Sequence, residues 1–207
     1  MRLEDSAVAY PVRAVVVMGP SGCGKSSVGS ELARVLGNAP FIDADSLHSQ
    51  ESRDKMAQGV PLTDGDRWPW LKRVRQRIAA EAGALIAAQV ARPPADAPPL
   101  YVVCACSALK RSYREMLSRA EGDAAALDVL HDTLFVNLAI DRQELARRLG
   151  SRTNHFMDPQ LLDSQLAALE PPDGTREAAV SVDADRPLAS VVDDAAEQVR
   201  RFAAAPV

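Results

Sequence analysis

The chain is poor in aromatic residues, which make up 4% of its 207 positions, and it has only three cysteines and three histidines. Three cysteines cannot form the disulfide framework of a small secreted domain. Acidic side chains outnumber basic ones by 28 to 24, so no basic excess attracts nucleic acid or an anionic membrane surface. No apolar run is long enough to span a membrane. Because Met1-Arg2-Leu3-Glu4-Asp5 also lacks a secretory apolar core, we expect a cytoplasmic protein that binds neither nucleic acid nor membrane.

Short apolar segments alternate with helical patterns along the chain. We predict strands at 14–18, 41–42, 100–105, 134–138 and 179–182, with a helix over 70–86 and a proline-rich loop over 89–99. Asp141 and Glu144 predict a capping box at the start of a further helix. Strands that alternate with helices form a parallel sheet covered on both faces. The sequence therefore predicts an α/β fold, with a tail at 1–12 and a single domain at 13–205.

The segment Gly19-Pro20-Ser21-Gly22-Cys23-Gly24-Lys25-Ser26 matches the phosphate-binding P-loop pattern and lies between a predicted strand and a predicted helix. Its glycines allow backbone N–H groups to surround phosphate oxygens, and the helix N-terminus adds partial positive charge. Lys25 would reach the β- and γ-phosphates, and the Ser26 hydroxyl would bind Mg²⁺. An ordinary glycine turn is the alternative. The flanking elements and the Lys-Ser pair favour binding of a nucleoside triphosphate.

Two acids follow the second predicted strand. Asp43 and Asp45 are two residues apart, so in extended geometry both carboxylates would point to the same side. Ligands of open α/β sheets bind at the carboxyl ends of strands. One acid could therefore orient Mg²⁺ while the other accepts the proton of an attacking hydroxyl. The alternative is a solvated turn or a helix cap, with Asp45 as the capping residue.

Three further groups of residues have a chemical and a structural interpretation. Asp64, Asp66 and Arg67 precede Trp68-Pro69-Trp70, which could be either a binding segment or a helix start with core tryptophans. For Cys104 and Cys106 we favour a role as small buried apolar residues over a redox or metal-binding role. Arg147, Arg148 and Arg152 form a helical charge run that is either a solvated face or a source of cations for phosphoryl transfer.

Taken together, these residues resemble the gluconokinase family of P-loop kinases. The resemblance runs in colinear order over about residues 13–200, and its distinguishing segments lie at 61–71 and 106–110. The matching motifs are Gly19–Ser26, Asp43–His48, Lys55–Asp64, Asp66-Arg67, Pro69–Leu71, Cys106–Lys110, Tyr113-Arg114, Arg148, Arg152, His155-Phe156, Gln165, Leu169-Glu170 and Asp183–Leu188.

The resemblance implies a nucleoside-monophosphate-kinase-like sheet of five parallel strands with helices on both faces and a small lid. It implies transfer of phosphate from ATP, with Mg²⁺, to D-gluconate, giving 6-phosphogluconate for the pentose phosphate pathway. Because relatives are often homodimers, it also implies a homodimer.

The expected site residues fall into four groups. The expected catalytic residues are Lys25, Asp45 as base, and Arg152 on the transferred phosphoryl group. The expected nucleotide contacts are Gly19, Pro20, Ser21, Gly22, Cys23, Gly24, Lys25, Ser26, Ser27, Arg148 against the adenine, and Arg186. The expected substrate contacts, which include cations for a sugar-acid carboxylate, are Asp45, His48, Arg53, Arg67, Lys110 and His155. The expected metal ligands are Ser26 and Asp43. The lid is expected at about 148–156, to exclude water from the phosphoryl group.

Two other functions fit part of the pattern. A small P-loop kinase of shikimate or of a nucleoside monophosphate would also use the P-loop and the acids at the strand end. A nucleotide-dependent switch or regulatory module would use the P-loop alone. A GTPase of that kind carries an Asn-Lys-x-Asp signature, which this sequence lacks.

Overall fold

Five parallel strands form the centre of the molecule. The computed structural model describes residues 12–90, 99–118, 130–150 and 159–204. The strands are β1 (Val12–Met18), β2 (Phe41–Asp43), β3 (Leu100–Ala105), β4 (Leu130–Ala139) and β5 (Ala179–Asp183). They pair in the order β2-β3-β1-β4-β5, and every pair is parallel. The central position of β1 agrees with its sequence, which is fully buried and apolar except for Arg13.

Helices connect these strands, as parallel pairing requires. They are α1 (Lys25–Val35), α2 (Gln50–Ala57), α3 (Asp64–Val90), α4 (Arg111–Ser118), α5 (Arg142–Gly150), α6 (Pro159–Ala168) and α7 (Leu188–Ala204). A four-residue 3-10 helix, Ala44–Leu47, follows β2, and we refer to it as the Asp45 turn. Among the described helices, none combines the length and hydropathy of a membrane-crossing segment.

The two faces of the sheet bury two separate cores. Val15 and Val17 point to the face covered by α1 and α7, where Leu32 and Val199 are buried. Val16 and Met18 point to the opposite face, which is covered by α3 and α4. Alternate residues of a strand lie on opposite faces, so one apolar strand supplies both cores. The prediction of an α/β sheet with helices on both faces is confirmed.

Helix α3 begins six residues before the helix predicted over 70–86. Thr63 and Asp66 form a capping box: Asp66 N donates to Thr63 Oγ1 at 3.3 Å, and Thr63 N donates to Asp66 Oδ2 at 2.9 Å. Pro69 lies in the second turn, and because it has no N–H the helix lacks the hydrogen bond to Gly65 O. The early start places Asp64 and Arg67 on a helix rather than in a loop. The predicted 89–99 loop is also shortened, because α3 extends to Val90.

A buried arginine connects α4 to the segment that precedes β5. Arg114 is 1% exposed, and its Nε and Nη2 atoms donate to the Glu177 carboxylate at 2.7 and 2.8 Å. Its Nη1 atom donates to the carbonyl oxygens of Ala108, Leu109 and Glu170. Removing one partner of a buried ion pair leaves the other partner charged and uncompensated.

We therefore predict that Arg114→Met lowers the free energy of unfolding by about 3–5 kcal/mol. The matched control is Arg111→Met, because the Arg111 side chain is half-exposed and pairs with Glu115 of its own helix. Urea denaturation should show a large loss for Arg114→Met and almost none for the control. Equal losses in the two variants would contradict the role of the buried pair.

Candidate active site

Three strand ends bring the predicted site residues to one edge of the sheet. β1 leads into the P-loop, β2 ends at Asp43, and β3 leads through Cys106 towards Lys110. Two backbone hydrogen bonds join the first and third of these segments: Cys106 N donates to Val17 O at 3.1 Å, and Gly19 N donates to Ser107 O at 3.3 Å. The carboxyl edge of the sheet is therefore a continuous surface with polar groups from each segment.

The P-loop has the geometry of a phosphate cradle. Gly24 precedes α1 with φ of 102° and contributes no side-chain cap, so the first N–H groups of the helix stay available to an anion. Gly22 has φ of 89°, and a Cβ there would lie 2.9 Å from Leu149 of α5. Lys25 Nζ donates to Pro20 O at 3.0 Å, which folds the ammonium group over the loop.

Ser26 and Asp43 lie in contact across the cleft between the P-loop and β2. Ser26 Oγ donates to Asp43 Oδ2 at 2.8 Å, and Asp43 Oδ1 accepts from Asp45 N at 3.0 Å. A hydroxyl and a carboxylate are hard oxygen ligands of the kind that Mg²⁺ prefers. In the described residues, no cluster of three or more His, Cys, Asp or Glu forms a metal site. A magnesium ion that shares ATP oxygens and waters needs only one or two protein ligands.

Asp45 differs from Asp43 in its surroundings. β2 ends at Asp43, so the extended geometry expected for the two acids is wrong, and Asp45 lies in the 3-10 turn that follows. The cap of this turn is Asp43, and not Asp45 as in the alternative structural interpretation. The Asp45 side chain is 75% exposed, with Oδ1 at 4.0 Å from His48 Nε2. Its carboxylate is thus the more accessible of the two acids.

Arg67 and Lys110 share a carboxylate that our sequence analysis did not assign to the site. Asp64 accepts two hydrogen bonds from Lys110 Nζ at 2.8 Å and one from the Tyr113 hydroxyl, and it lies 3.9 Å from Arg67 Nη1. The Lys110 and Tyr113 hydrogen bonds lower the pKa of Asp64 below its usual value. Lys110, in turn, has a raised pKa because of Asp64. Two cations therefore surround one resident carboxylate.

His48 and Arg53, both predicted substrate contacts, contact other parts of the protein in the structure. The His48 ring stacks on Trp70 with centroids 4.3 Å apart, and burial lowers the pKa of His48, which favours the neutral ring. Arg53 Nη1 donates to His48 O at 2.6 Å. The guanidinium of Arg53 thus contacts backbone, and its role in binding substrate stays a prediction.

A cavity of about 260 Å³ lies on the other side of the P-loop. Gly24, Ser27, Arg148 and Arg186, which are four of the predicted nucleotide contacts, are among the residues that line it. Arg148 Nε donates to Glu144 Oε1 at 2.7 Å, and Arg148 Nη2 donates to Ala184 O at 2.8 Å. The cavity is therefore bounded by a cation in a defined orientation.

Glu144 explains why the predicted capping box forms only in part. Asp141 Oδ1 accepts from Glu144 N at 2.8 Å, as predicted. The Glu144 carboxylate instead binds Arg147 and Arg148, which lower its pKa to about 2. Two guanidinium groups give stronger, charge-assisted hydrogen bonds than one backbone N–H.

Part of the predicted site lies outside the described residues. Arg152 and His155 lie outside the described residues, and so does most of the expected lid at 148–156. Of that lid, Arg148, Leu149 and Gly150 are described. The roles predicted for these residues stay predictions. Cys104 and Cys106 are both fully buried, and burial raises the pKa of the Cys106 thiol to about 12, in agreement with an apolar role.

Comparison with known proteins places this geometry in a family. A family model described as shikimate kinase matches residues 21–65. A probable gluconokinase of Xenopus tropicalis is 40% identical over 193 residues, covering 90% of this chain and 93% of that protein. The gluconokinase of Gluconobacter oxydans (strain 621H) is 38% identical over 208 residues, 99% of each chain. The chain belongs to the gluconokinase family.

A solved structure supports the same relationship. The crystal structure of a gluconokinase from Sinorhizobium meliloti 1021 superimposes with a TM-score of 0.72 at 40% identity, covering 94% of each chain. The P-loop kinase fold expected from the sequence is therefore confirmed. The protein is a phosphotransferase, and membership of a kinase family implies ATP as a substrate.

Our sequence analysis did not assign several residues that the structure brings to the site. Asp64 and Tyr113 join Arg67 and Lys110, and Glu144 orients Arg148. Gln165 of α6 accepts from the P-loop amide of Ser21 through Oε1 at 2.7 Å. Gln165 stood among the motifs that resemble the family, but neither spacing nor periodicity indicated its partner. Only the three-dimensional contact shows it.

We predict that Arg148→Met weakens ATP binding about tenfold, the loss expected when a cation that stacks on a base is removed. Arg147→Met is the matched control, because Arg147 shares Glu144 but does not line the cavity. Isothermal titration calorimetry with ATP should separate the two variants. Similar affinity in both would mean that the nucleobase does not bind at this cavity.

Proposed function

We propose that this protein transfers the γ-phosphoryl group of ATP to D-gluconate, producing ADP and 6-phospho-D-gluconate. The observation that carries the proposal is the identity of 38–40% over 90–99% of the chain with the two relatives named above as gluconokinases. The geometry agrees with it, because a phosphate cradle and a cluster that can bind an anion lie at the same edge of the sheet. Lys25 belongs to the first, and Arg67 and Lys110 belong to the second.

In this reaction, each group of residues would have a distinct role in phosphoryl transfer. Lys25 and the N-terminus of α1 stabilise charge on the β- and γ-phosphates. Asp45 accepts the proton of the attacking gluconate hydroxyl while that oxygen bonds to the γ-phosphorus and the bond to ADP breaks. Arg67 and Lys110 hold the gluconate carboxylate, which orients the chain of hydroxyls towards Asp45.

Ser26 and Asp43 fit a magnesium ion that accompanies ATP. Their oxygens already lie within 2.8 Å of each other, next to the P-loop. When bound, Mg²⁺ neutralises charge on the phosphates during transfer. Asp43 is oriented by Ser26 and by Asp45 N, whereas the Asp45 carboxylate is exposed. This difference supports Asp43 as the metal ligand and Asp45 as the base.

Shikimate is the second candidate acceptor. The family model for shikimate kinase matches residues 21–65, which include Ser21–Ser26 of the P-loop, both acids and the start of α3. That match ends before Arg67, whereas the similarity to the gluconokinases continues through the rest of the chain. Both acceptors carry one carboxylate and several hydroxyls, so only a direct assay separates them.

The reaction and the family resemblance also support inferences about the pathway, the cellular location and the oligomeric state. We infer that the product enters the pentose phosphate pathway, that the enzyme works in the cytoplasm, and that it forms a homodimer. Similarity to the gluconokinases supports the first of these inferences. An acidic composition with few cysteines supports the second. The dimer rests on the family resemblance alone.

Release of ADP, coupled to an indicator reaction, tests the proposal most simply. The purified protein is assayed with ATP, magnesium and one of four additions: gluconate, shikimate, a nucleoside monophosphate, or no acceptor. We predict that gluconate gives a kcat/KM at least about 100-fold above the others, because a mismatched acceptor leaves buried or oriented polar groups unpaired. Preference for shikimate would overturn the acceptor assignment. No stimulation by any acceptor would favour a regulatory protein.

A further inference from the structure

The carboxylate of Asp45 is not held in place by its own contacts. Its side chain is 75% exposed, and within the described part of the chain its carboxylate comes into ion-pair range of His48 alone, at 4.0 Å. A general base must nevertheless lie within about 3 Å of the proton that it accepts. The position of this carboxylate therefore depends on the backbone that carries it.

That backbone is a weak element by itself. The Asp45 turn is a 3-10 helix of four residues, a type of helix with poorer hydrogen-bond geometry than the α-helix. Its end is closed by the hydrogen bond from His48 N to Asp45 O at 3.3 Å. One weak turn of this kind does not hold a carboxylate to the accuracy that proton transfer needs.

Side chains of α2 and α3 hold the turn from outside. Three of these side chains donate hydrogen bonds to backbone carbonyls close to Asp45. From α3, Trp70 Nε1 donates to Ala44 O at 2.7 Å and Arg73 Nε donates to Leu47 O at 2.9 Å. From α2, Arg53 Nη1 donates to His48 O at 2.6 Å. These carbonyls lie on both sides of Asp45 in the chain. The turn is therefore fixed at its start and at its end.

Trp70 makes the buried part of this support. It is 2% exposed, its N–H bond to Ala44 O is buried, and its ring stacks on His48 at an interplanar angle of 10°. One indole thus contacts the residue before Asp45 and a residue three positions after it. Both contacts restrict the backbone at Asp45.

Arg73 supports the end of the turn. Among the described residues no carboxylate pairs with Arg73, and its hydrogen bond goes to a main-chain carbonyl of the turn. The next turn of α3 offers a contrast, because Arg77 pairs with Glu81 at the surface. The two arginines share a helix but not a partner.

We propose that Trp70 and Arg73 are positioning residues for Asp45, an inference that rests on the proposed role of Asp45 as the base. Arg67 lies on the same helix, one turn before Trp70. α3 would thus place the cation that binds the acceptor carboxylate and, through the turn, the base that meets the acceptor hydroxyl. A rigid helix keeps the distance between these two groups constant.

The test compares Arg73→Met with Arg77→Met in the full-length protein. We predict that Arg73→Met lowers kcat with gluconate about 10- to 100-fold, the loss typical of a displaced catalytic group. The KM for ATP and the melting temperature should stay close to those of the unchanged protein, and Arg77→Met should alter none of these values. Arg73→Lys, which keeps a donor on a long side chain, should restore part of the lost kcat.

A second variant tests whether the effect on kcat is specific to Arg73 or common to the residues that support the turn. Trp70→Phe keeps a ring to stack on His48 but removes the N–H donor, and it should also lower kcat more than it raises the KM for ATP. An unchanged kcat in both Arg73→Met and Trp70→Phe would overturn the proposal. So would a loss of kcat that Arg77→Met shares.

Asp45→Asn separates this inference from the proposed function. Loss of activity in Asp45→Asn with full activity in both Arg73→Met and Trp70→Phe would keep Asp45 as the base and reject Trp70 and Arg73 as its positioning residues. Full activity in Asp45→Asn would reject the base itself, and the inference with it. If Arg73→Met lost activity only in proportion to its melting temperature, the arginine would be structural and the proposal wrong.

Discussion

Parallel pairing of β1 between β3 and β4 is the constraint on which the rest of the structure depends. In a parallel sheet, all the strands end at the same edge. The P-loop, the two acids after β2 and the loop that leads to Lys110 each follow a strand end, so the pairing brings them together. An antiparallel β2 would place Asp43 at the far edge of the sheet, away from Ser26. The order β2-β3-β1 also separates the acid segment from the P-loop by one strand, which leaves a cleft between them.

Each half of the cleft uses an acid to orient its cations. Lys110 is held by Asp64 on the side that we propose for the acceptor, and Arg148 is held by Glu144 on the side that we propose for the nucleotide. Both acids have a lowered pKa and are ionised at neutral pH. The cations are therefore oriented before a ligand arrives, which reduces the reorganisation needed for binding. Because Asp64 also adds a negative charge to its cluster, the acceptor side suits a substrate with one carboxylate.

The sequence predicted the fold well, and it predicted the site in part. Apolar β-branched runs and the P-loop pattern are local signals, and they led to the correct strands, the correct class of sheet and the phosphate cradle. The start of α3 was placed too late, because Pro69 and two tryptophans obscured a capping box at Thr63 and Asp66. Asp64 and Tyr113 meet only through the packing of α3 against α4, 49 positions apart, so no local pattern could connect them. The local sequence also left open whether Trp70 belongs to the core or to the site. In the structure it lies in the core and donates a hydrogen bond to Ala44 O, next to Asp45.

If nucleotide and acceptor bind to opposite sides of one cleft, as we propose, calorimetry on two variants separates the two sides. ATP and gluconate are titrated separately into Lys25→Ala and Arg67→Ala. We predict crossed losses: Lys25→Ala weakens ATP binding at least about tenfold and keeps gluconate binding, and Arg67→Ala does the reverse. Loss of ATP binding in Arg67→Ala, with gluconate binding intact, would contradict the proposal.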